Sequence, residues 1–96
     1  MDTSIQEKPH IVQIAGPLEL WRFKTCEAEF GVGKDWATLY LIESKEEGKG
    51  YATTLLLAAK KHYEDKGLTF GGSVALNSRM RSIYQRCGVR EYTQLG

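Results

Sequence analysis

Residues 42–53 have the residue types and spacing of an anion-binding loop. They read Ile-Glu-Ser-Lys-Glu-Glu-Gly-Lys-Gly-Tyr-Ala-Thr, in which a strand-like run leads through a polar loop into a helical pattern. Such a junction presents unpaired backbone N–H groups at the positive end of a helix, and glycines let a phosphate approach them closely. Gly48 and Gly50 are the only glycines of the loop, so it matches neither a Walker loop nor a dinucleotide-binding fingerprint. The segment predicts a pyrophosphate-binding loop, with a simple tight turn as the alternative.

The segments around this loop predict a mixed α/β sheet. Predicted strands cover residues 10–15, 36–43, 68–76 and 89–95, a predicted helix covers residues 51–66, and a second, short helix is capped by Asn77 and ended by Gly88. Residues 36–43 are aromatic and aliphatic on both faces, which is typical of a central strand. A strand, a crossover helix and a further strand require at least one parallel pair. We therefore expect a mostly antiparallel sheet with one β-α-β crossover and two main helices packed on it.

Residues 18–30 allow two interpretations. Their apolar residues fit a helical stripe, in which Pro17 lies in the first turn and Gly31 ends the helix. They also alternate as in a strand, and the alternation changes phase at Thr25 and Cys26, as it would at a β-bulge. We prefer the strand.

Composition bounds the class of protein. The 96 residues are 42% hydrophobic and carry 13 basic against 12 acidic side chains. This length fits one domain, here residues 10–96 after a flexible segment 1–9, and the charge balance gives no field that would attract nucleic acid. No apolar run approaches the roughly 20 residues that span a bilayer, so we expect a cytoplasmic protein without a membrane partner. Cys26 and Cys87 lack metal-ligand spacing and are expected to be buried, without a metal or a disulfide.

Two motifs together resemble the GNAT superfamily of acetyl-CoA-dependent N-acetyltransferases. The loop Glu-Gly-Lys-Gly-Tyr-Ala at residues 47–52 is similar to that family's Arg/Gln-x-x-Gly-x-Gly/Ala pattern. Downstream, residues 77–89 resemble its Asn-x-x-Ala-x-x-Leu-Tyr-x-x-x-Gly-Phe helix. The resemblance covers residues 36–92 and implies acetyl-CoA as co-substrate and no metal. Compact members of this family are common in phage and mobile elements.

The resemblance assigns roles to individual residues. A backbone N–H near Leu41 or Ile42 would hold the thioester carbonyl, as an oxyanion donor does. Tyr84 would act as the general acid toward the leaving thiolate, with a place in the core of the helix as its alternative role. The predicted cofactor-binding residues are Leu41, Ile42, Glu47, Gly48, Lys49, Gly50, Tyr51, Ala52, Thr53 and Asn77.

The chain departs from the family pattern in ways that affect the cofactor and the acceptor. Glu47 replaces an Arg or Gln, which weakens pyrophosphate binding unless Lys45 and Lys49 offset its charge. The spacing after the first strand is too short for the helical pair that walls the family's acceptor site. Glu29 and Glu43 are the candidate bases, with Glu27 beside them, and for each the alternative is a solvated surface charge.

These observations predict an N-acetyltransferase that acts on a primary amine. An open acceptor site favours a protein lysine or an N-terminus over an enclosed metabolite, and a homodimer would be a second source of the missing wall. The alternative is a catalytically degenerate protein of the same fold that binds a host protein.

Overall fold

The computed structural model describes residues 8–46, 48–73, 75 and 78–90, and in them one sheet and two helices. Its elements are β1 (His10–Ala15), β2 (Leu18–Phe23), β3 (Cys26–Val32), β4 (Trp36–Ser44), α1 (Tyr51–Asp65), β5 (Thr69–Gly72) and α2 (Ser78–Cys87). The strands lie in the order β1-β2-β3-β4-β5. The first four are antiparallel neighbours, and β5 is parallel to β4 across the α1 crossover. The predicted mixed sheet with two helices is confirmed at this level.

Residues 18–30 form a hairpin. The preference for strand over helix is confirmed, but the expectation of one bulged strand is wrong, because β2 and β3 pair antiparallel from Leu18 opposite Gly31 to Phe23 opposite Cys26. The chain reverses at Lys24 and Thr25, where Lys24 has a φ of 55°. The change of phase in the sequence therefore marks a two-residue turn rather than a bulge.

An irregularity instead lies in β4, beside β3. Phe30 pairs with Leu39 and Glu29 pairs with Leu41, so Tyr40 is an extra residue in β4. Because of this bulge, the side chains of Leu39 and Ile42 both face the core although they are three residues apart. The side chains of Tyr40 and Leu41, which follow each other in the sequence, are both exposed.

The core lies between the sheet and α1. Four positions of the predicted stripe on this helix, Leu55, Leu56, Ala59 and Tyr63, are buried. Trp21 Nε1 donates a hydrogen bond to Tyr63 Oη over 2.9 Å, and Tyr63 Oη donates one to Glu19 Oε1 over 2.6 Å. This chain of hydrogen bonds satisfies the polar atoms of two large buried rings and fixes α1 across β2.

The second helix packs on the same side of the sheet. A Cβ added to Gly72 in β5 would lie 2.6 Å from Tyr84 Cζ, so the tyrosine ring sits directly on this glycine. Leu39, the partner of Gly72 in β4, points into the core toward α1. Both helices therefore cover one face of the sheet, and no described helix lies on the other.

The remaining predictions have separate outcomes. The strand predicted at 68–76 is seen as Thr69–Gly72. Residues 1–7 and 91–96, to which most of the predicted N-terminal segment and last strand belong, lie outside the described residues. Cys26 and Cys87 are buried free thiols, as predicted. In the described part of the chain no helix is long and apolar enough to cross a membrane.

Candidate functional site

Among the described residues, the pairing of β5 with β4 ends before β4 does, which leaves a gap on one side of β4. The described pairing of β5 with β4 runs from Trp36 opposite Thr69 to Leu39 opposite Gly72, and one further hydrogen bond joins Ser73 N to Leu39 O at 2.9 Å. β4 continues to Ser44, still paired with β3 on its other side. Residues 40–44 thus have no described neighbour on the β5 side, and the gap begins at the bulge.

A groove of about 1050 Å³ lies along this part of β4, and no described residue of β5 lines it. Its lining contains Ile42, which faces the helices, and both Leu41 and Glu43, which face the opposite side of the sheet. The groove therefore runs along the edge of β4, beside residues whose side chains face both sides of the sheet. The rest of its wall comes from the loop after β4, the first turn of α1 and one side of α2.

The start of α1 presents backbone donors to this groove. The first bond within the helix runs from Thr54 N to Gly50 O, so the N–H groups of residues 51–53 have no partner inside it. No side chain caps the helix, and its first turn contains no acidic residue. Gly48 and Gly50 have φ values of 79° and 77°, conformations that favour glycine. This uncapped end has the geometry and the partial positive charge that bind a phosphate.

The charges on the groove also favour an anion. Among the described lining residues, Lys45, Lys49, Arg79 and Arg86 are cationic, whereas Glu43 and Glu46 are acidic. Met80 and Ile83 are buried on the same side of α2 and give the groove an apolar floor. A ligand with an apolar arm and several phosphates would match both parts.

The sequence predicted the loop, and Asn77 and Tyr84 of the second helix, as parts of the site, but four residues of α2 that line the groove were not predicted. Arg79, Met80, Ile83 and Arg86 lie on one stripe of this helix and line the groove. The signal was present, because residues at i, i+4 and i+7 share a helical face and two of these four are arginines. Sγ of Cys87 lies 3.8 Å from Thr53 O and places the end of α2 beside the first turn of α1.

The groove brings together most of the predicted cofactor-binding residues. Its lining contains Leu41, Ile42, Gly48, Lys49, Gly50, Tyr51, Ala52 and Thr53. The two others, Glu47 and Asn77, lie outside the described residues. The loop between β4 and α1 is held in part by Ser44 Oγ, which donates a hydrogen bond to Glu46 O over 2.9 Å.

Tyr84, the predicted general acid, is 2% exposed and does not belong to the groove lining. Its hydroxyl donates a hydrogen bond to Ser73 O over 2.9 Å. Since the amide of Ser73 is bound to Leu39 O, the tyrosine hydroxyl lies one residue from the point where β4 and β5 separate. It is thus beside the closed end of the gap.

The candidate bases lie on the sheet face opposite the helices. Glu43 lines the groove. Glu29 lies in the neighbouring strand β3 opposite Leu41, which is two residues before Glu43 on the same face. Glu27 is directly opposite Glu43, but its carboxylate is paired with Arg22 Nη2 at 2.7 Å. Glu29 and Glu43 form no ion pair with any described residue.

The two cysteines are poor candidates for nucleophilic chemistry. Burial, followed by the charge of Glu27, raises the pKa of the Cys26 thiol to about 11, and burial also raises the pKa of Cys87. A thiol must lose its proton to attack. In the described segments there is also no group of three or more His, Cys, Asp or Glu side chains that could hold a metal ion.

No family model, curated protein or solved structure matches the chain.

Proposed function

We propose that this chain is an acetyl-CoA-dependent N-acetyltransferase with a GNAT-like fold, and that it acetylates an amine on a protein rather than an enclosed metabolite. The proposal is carried by one observation. The groove lies along the end of β4, past its last described pair with β5, and the uncapped end of α1 with its two glycines opens into it. This is the combination that the sequence resemblance implies for an acetyl-CoA site.

The residues of the groove fit the parts of acetyl-CoA. The N–H groups of residues 51–53 and the side chains of Lys49 and Arg86 would hold the phosphates. Met80 and Ile83 would contact the pantetheine arm. In this arrangement the thioester would lie near Leu41 and Ile42, where the backbone of β4 has no described partner on its β5 side and would offer a donor to the carbonyl oxygen.

The reaction needs a proton acceptor and a proton donor. A neutral amine attacks the thioester carbon, a carbon–nitrogen bond forms, and the carbon–sulfur bond breaks. Glu43, at the groove, would take the proton of the amine directly or through water, with Glu29 as the next candidate. Tyr84 would protonate the leaving thiolate, which requires its O–H to turn away from Ser73 O.

Cofactor binding is tested by calorimetry with acetyl-CoA and with CoA, using Gly50→Ala and Gly67→Ala as a matched pair. Both glycines have a positive φ, 77° and 86°, and at both an added Cβ would meet open space. Each substitution therefore costs about 1–2 kcal/mol of backbone strain. Gly50 lines the groove, whereas Gly67 follows the far end of α1.

We expect acetyl-CoA affinity to fall at least tenfold in Gly50→Ala and to stay within twofold in Gly67→Ala, with equal losses of stability. Equal affinities in the two variants would remove the loop from the binding site. Absence of binding to the unmodified protein at millimolar acetyl-CoA would refute the proposal.

Turnover is tested by mass spectrometry of a cell lysate incubated with the protein and isotopically labelled acetyl-CoA. We expect label on lysine side chains or N-termini of proteins above the level without enzyme.

The buried hydroxyl of Tyr84, bonded to Ser73 O, favours a second candidate function, that of a protein that binds CoA and a partner without turnover. Acetyl-CoA binding with only background labelling would support that second candidate.

A further inference from the structure

The sheet face opposite the two helices carries an exposed apolar strip next to the groove. Strand alternation places Leu18 and Leu20 of β2 on this face, together with Trp36, Tyr40 and Leu41 of β4. The last three are 40%, 43% and 42% exposed, although they are large and apolar. Soluble proteins rarely leave such contiguous patches uncovered unless they bind something. We call Trp36, Tyr40 and Leu41 the β4 strip.

Glycines hold the two aromatic rings of the β4 strip against the sheet. A Cβ added to Gly31 would lie 2.5 Å from Tyr40 Cζ, and one added to Gly33 would lie 2.3 Å from Trp36 Cε2. The rings therefore lie directly on the backbone of β3 and of the turn that follows it. The other side of each ring faces solvent, so the two rings form an exposed, flat apolar surface on which an extended peptide could pack.

Among the described strand residues beside the β4 strip, the charged side chains that form no ion pair are acidic. Glu29 lies opposite Leu41, and Glu43 follows two residues later on the same face, at the mouth of the groove. Arg22 is the one permanent cation among the described strand residues of this face, and it is already paired with Glu27. The strands of this face in a second copy would thus bring no unpaired cation to these carboxylates, so the surface favours a cationic partner instead.

A lysine side chain matches this surface in both of its parts. Its aliphatic stem packs on apolar side chains while its ammonium group interacts with aromatic rings and carboxylates. Because Glu43 also lines the groove, an ammonium group held by this carboxylate lies at the edge of the groove.

We propose that the β4 strip, with Glu29 and Glu43 at its end, is the docking surface for an extended, lysine-bearing segment of another protein. This assignment rests on the proposed function, to which it adds the place and the chemistry of acceptor binding. Neighbouring residues of the segment lie across Trp36 and Tyr40, and the lysine reaches Glu43 and the groove.

Nuclear magnetic resonance provides a test that does not depend on acetyl transfer. The ¹⁵N-labelled protein is titrated with a blocked seven-residue peptide that carries one central lysine between leucines. The indole N–H of Trp36 reports on the β4 strip, and the buried indole of Trp21, bonded to Tyr63, is an internal control. We expect the Trp36 signal to shift and the Trp21 signal to stay. The same peptide with acetyl-lysine in place of lysine should bind about fivefold more weakly.

Variants separate this surface from the rest of the molecule. Trp36→Ser and Glu29→Gln should each weaken peptide binding about fivefold, whereas Ile14→Ser, on the exposed edge strand β1, should not. Tyr40→Ser serves in place of Trp36→Ser if the latter unfolds. Acetyl-CoA affinity, measured by calorimetry, should be the same in Trp36→Ser as in the unmodified protein.

Each contrary result has a defined meaning. Peptide binding that is unaffected by the variants, or equal for lysine and acetyl-lysine, overturns the docking surface. A dimer in sedimentation that Trp36→Ser dissociates shows that a second copy covers the face and also overturns it. Peptide binding as expected without any acetyl-CoA binding would keep the docking surface and refute the proposed function.

Discussion

Gly72→Ala should destabilise the fold much more than Gly31→Ala, although both glycines lie under a tyrosine ring. The added Cβ at Gly72 would lie 2.6 Å from Tyr84 Cζ and 2.7 Å from its hydroxyl. Carbon atoms in contact prefer about 3.5–4.0 Å, so the ring must move by about 1 Å. Tyr84 is 2% exposed and belongs to the packed core, and displacing its ring would break the hydrogen bond to Ser73 O.

The expected magnitude follows from these contacts. Overpacking a core costs about 1–3 kcal/mol and the lost hydrogen bond about 1 kcal/mol, while replacing glycine restores about 0.4–1 kcal/mol through the unfolded chain. Gly72→Ala should therefore lower the free energy of unfolding by roughly 2–3 kcal/mol. At Gly31 the Cβ would meet Tyr40 at 2.5 Å, but this ring is exposed and can swing into solvent. The cost there should stay under about 1 kcal/mol.

Thermal and urea unfolding followed by circular dichroism measure the difference. A small domain loses about 4–8 °C in Tm per kcal/mol, and the two costs differ by about 1–3 kcal/mol, so Gly72→Ala should unfold roughly 4–24 °C below Gly31→Ala. In a Tyr84→Leu background the further cost of Gly72→Ala should nearly vanish, because the ring that it strikes is gone. Equal losses in the two glycine variants, or an unchanged cost in the double variant, would refute the packing of α2 on β5.

Three further predictions address the site and the core. Tyr84→Phe should lower turnover at least 100-fold with acetyl-CoA affinity unchanged, and unchanged turnover would remove its role as the acid. Arg86→Gln should weaken acetyl-CoA and CoA equally in calorimetry, by about fivefold, whereas Lys61→Gln, outside the groove, should not. Burial raises the pKa of Cys26 from its ordinary value of 9.0 to about 11, and burial with the Glu19 carboxylate raises that of Tyr63. Both groups keep their protons longer in the fold, so stability should be complete below pH 9 and fall as the pH rises toward 11; an unchanged urea midpoint at pH 10.5 would contradict this.

The elements that could be predicted from the sequence are those with long or repeated patterns. The stripe of α1 and the dense run of β4 each pack against several neighbours, so their periodicity reflects the core they face. The loop that lines the groove could be predicted for a related reason, because its strand, its glycines and its helix are consecutive in the chain. The residues that α2 contributes to the groove depend on how this helix crosses the sheet. In the sequence, the only sign of them is the helical spacing of Arg79, Ile83 and Arg86.

The two-residue turn at Lys24 and Thr25 could not be predicted from the sequence. Two-residue hairpin turns are usually recognised in a sequence by Asn-Gly or Asp-Gly, because a positive φ is energetically costly for most other residues. Lys24 adopts that conformation, and its ammonium group lies 5.4 Å from the Phe23 ring and 5.8 Å from the Tyr51 ring. These contacts offset part of the strain, and one of them comes from α1, far away in the sequence.

The strand order has a consequence for how the groove comes into existence. Strands β1 to β4 pair only with their neighbours in the chain, through short turns, whereas β5 can join β4 only after residues 45–68 have closed a long connection. Local contacts form faster than distant ones, so we expect the four-stranded meander to precede β5 during folding. The groove lies at the joint between these two parts. A ligand bound there would contact both β4, from the early meander, and the helices that form with β5. Its binding free energy would therefore stabilise the association of these two parts.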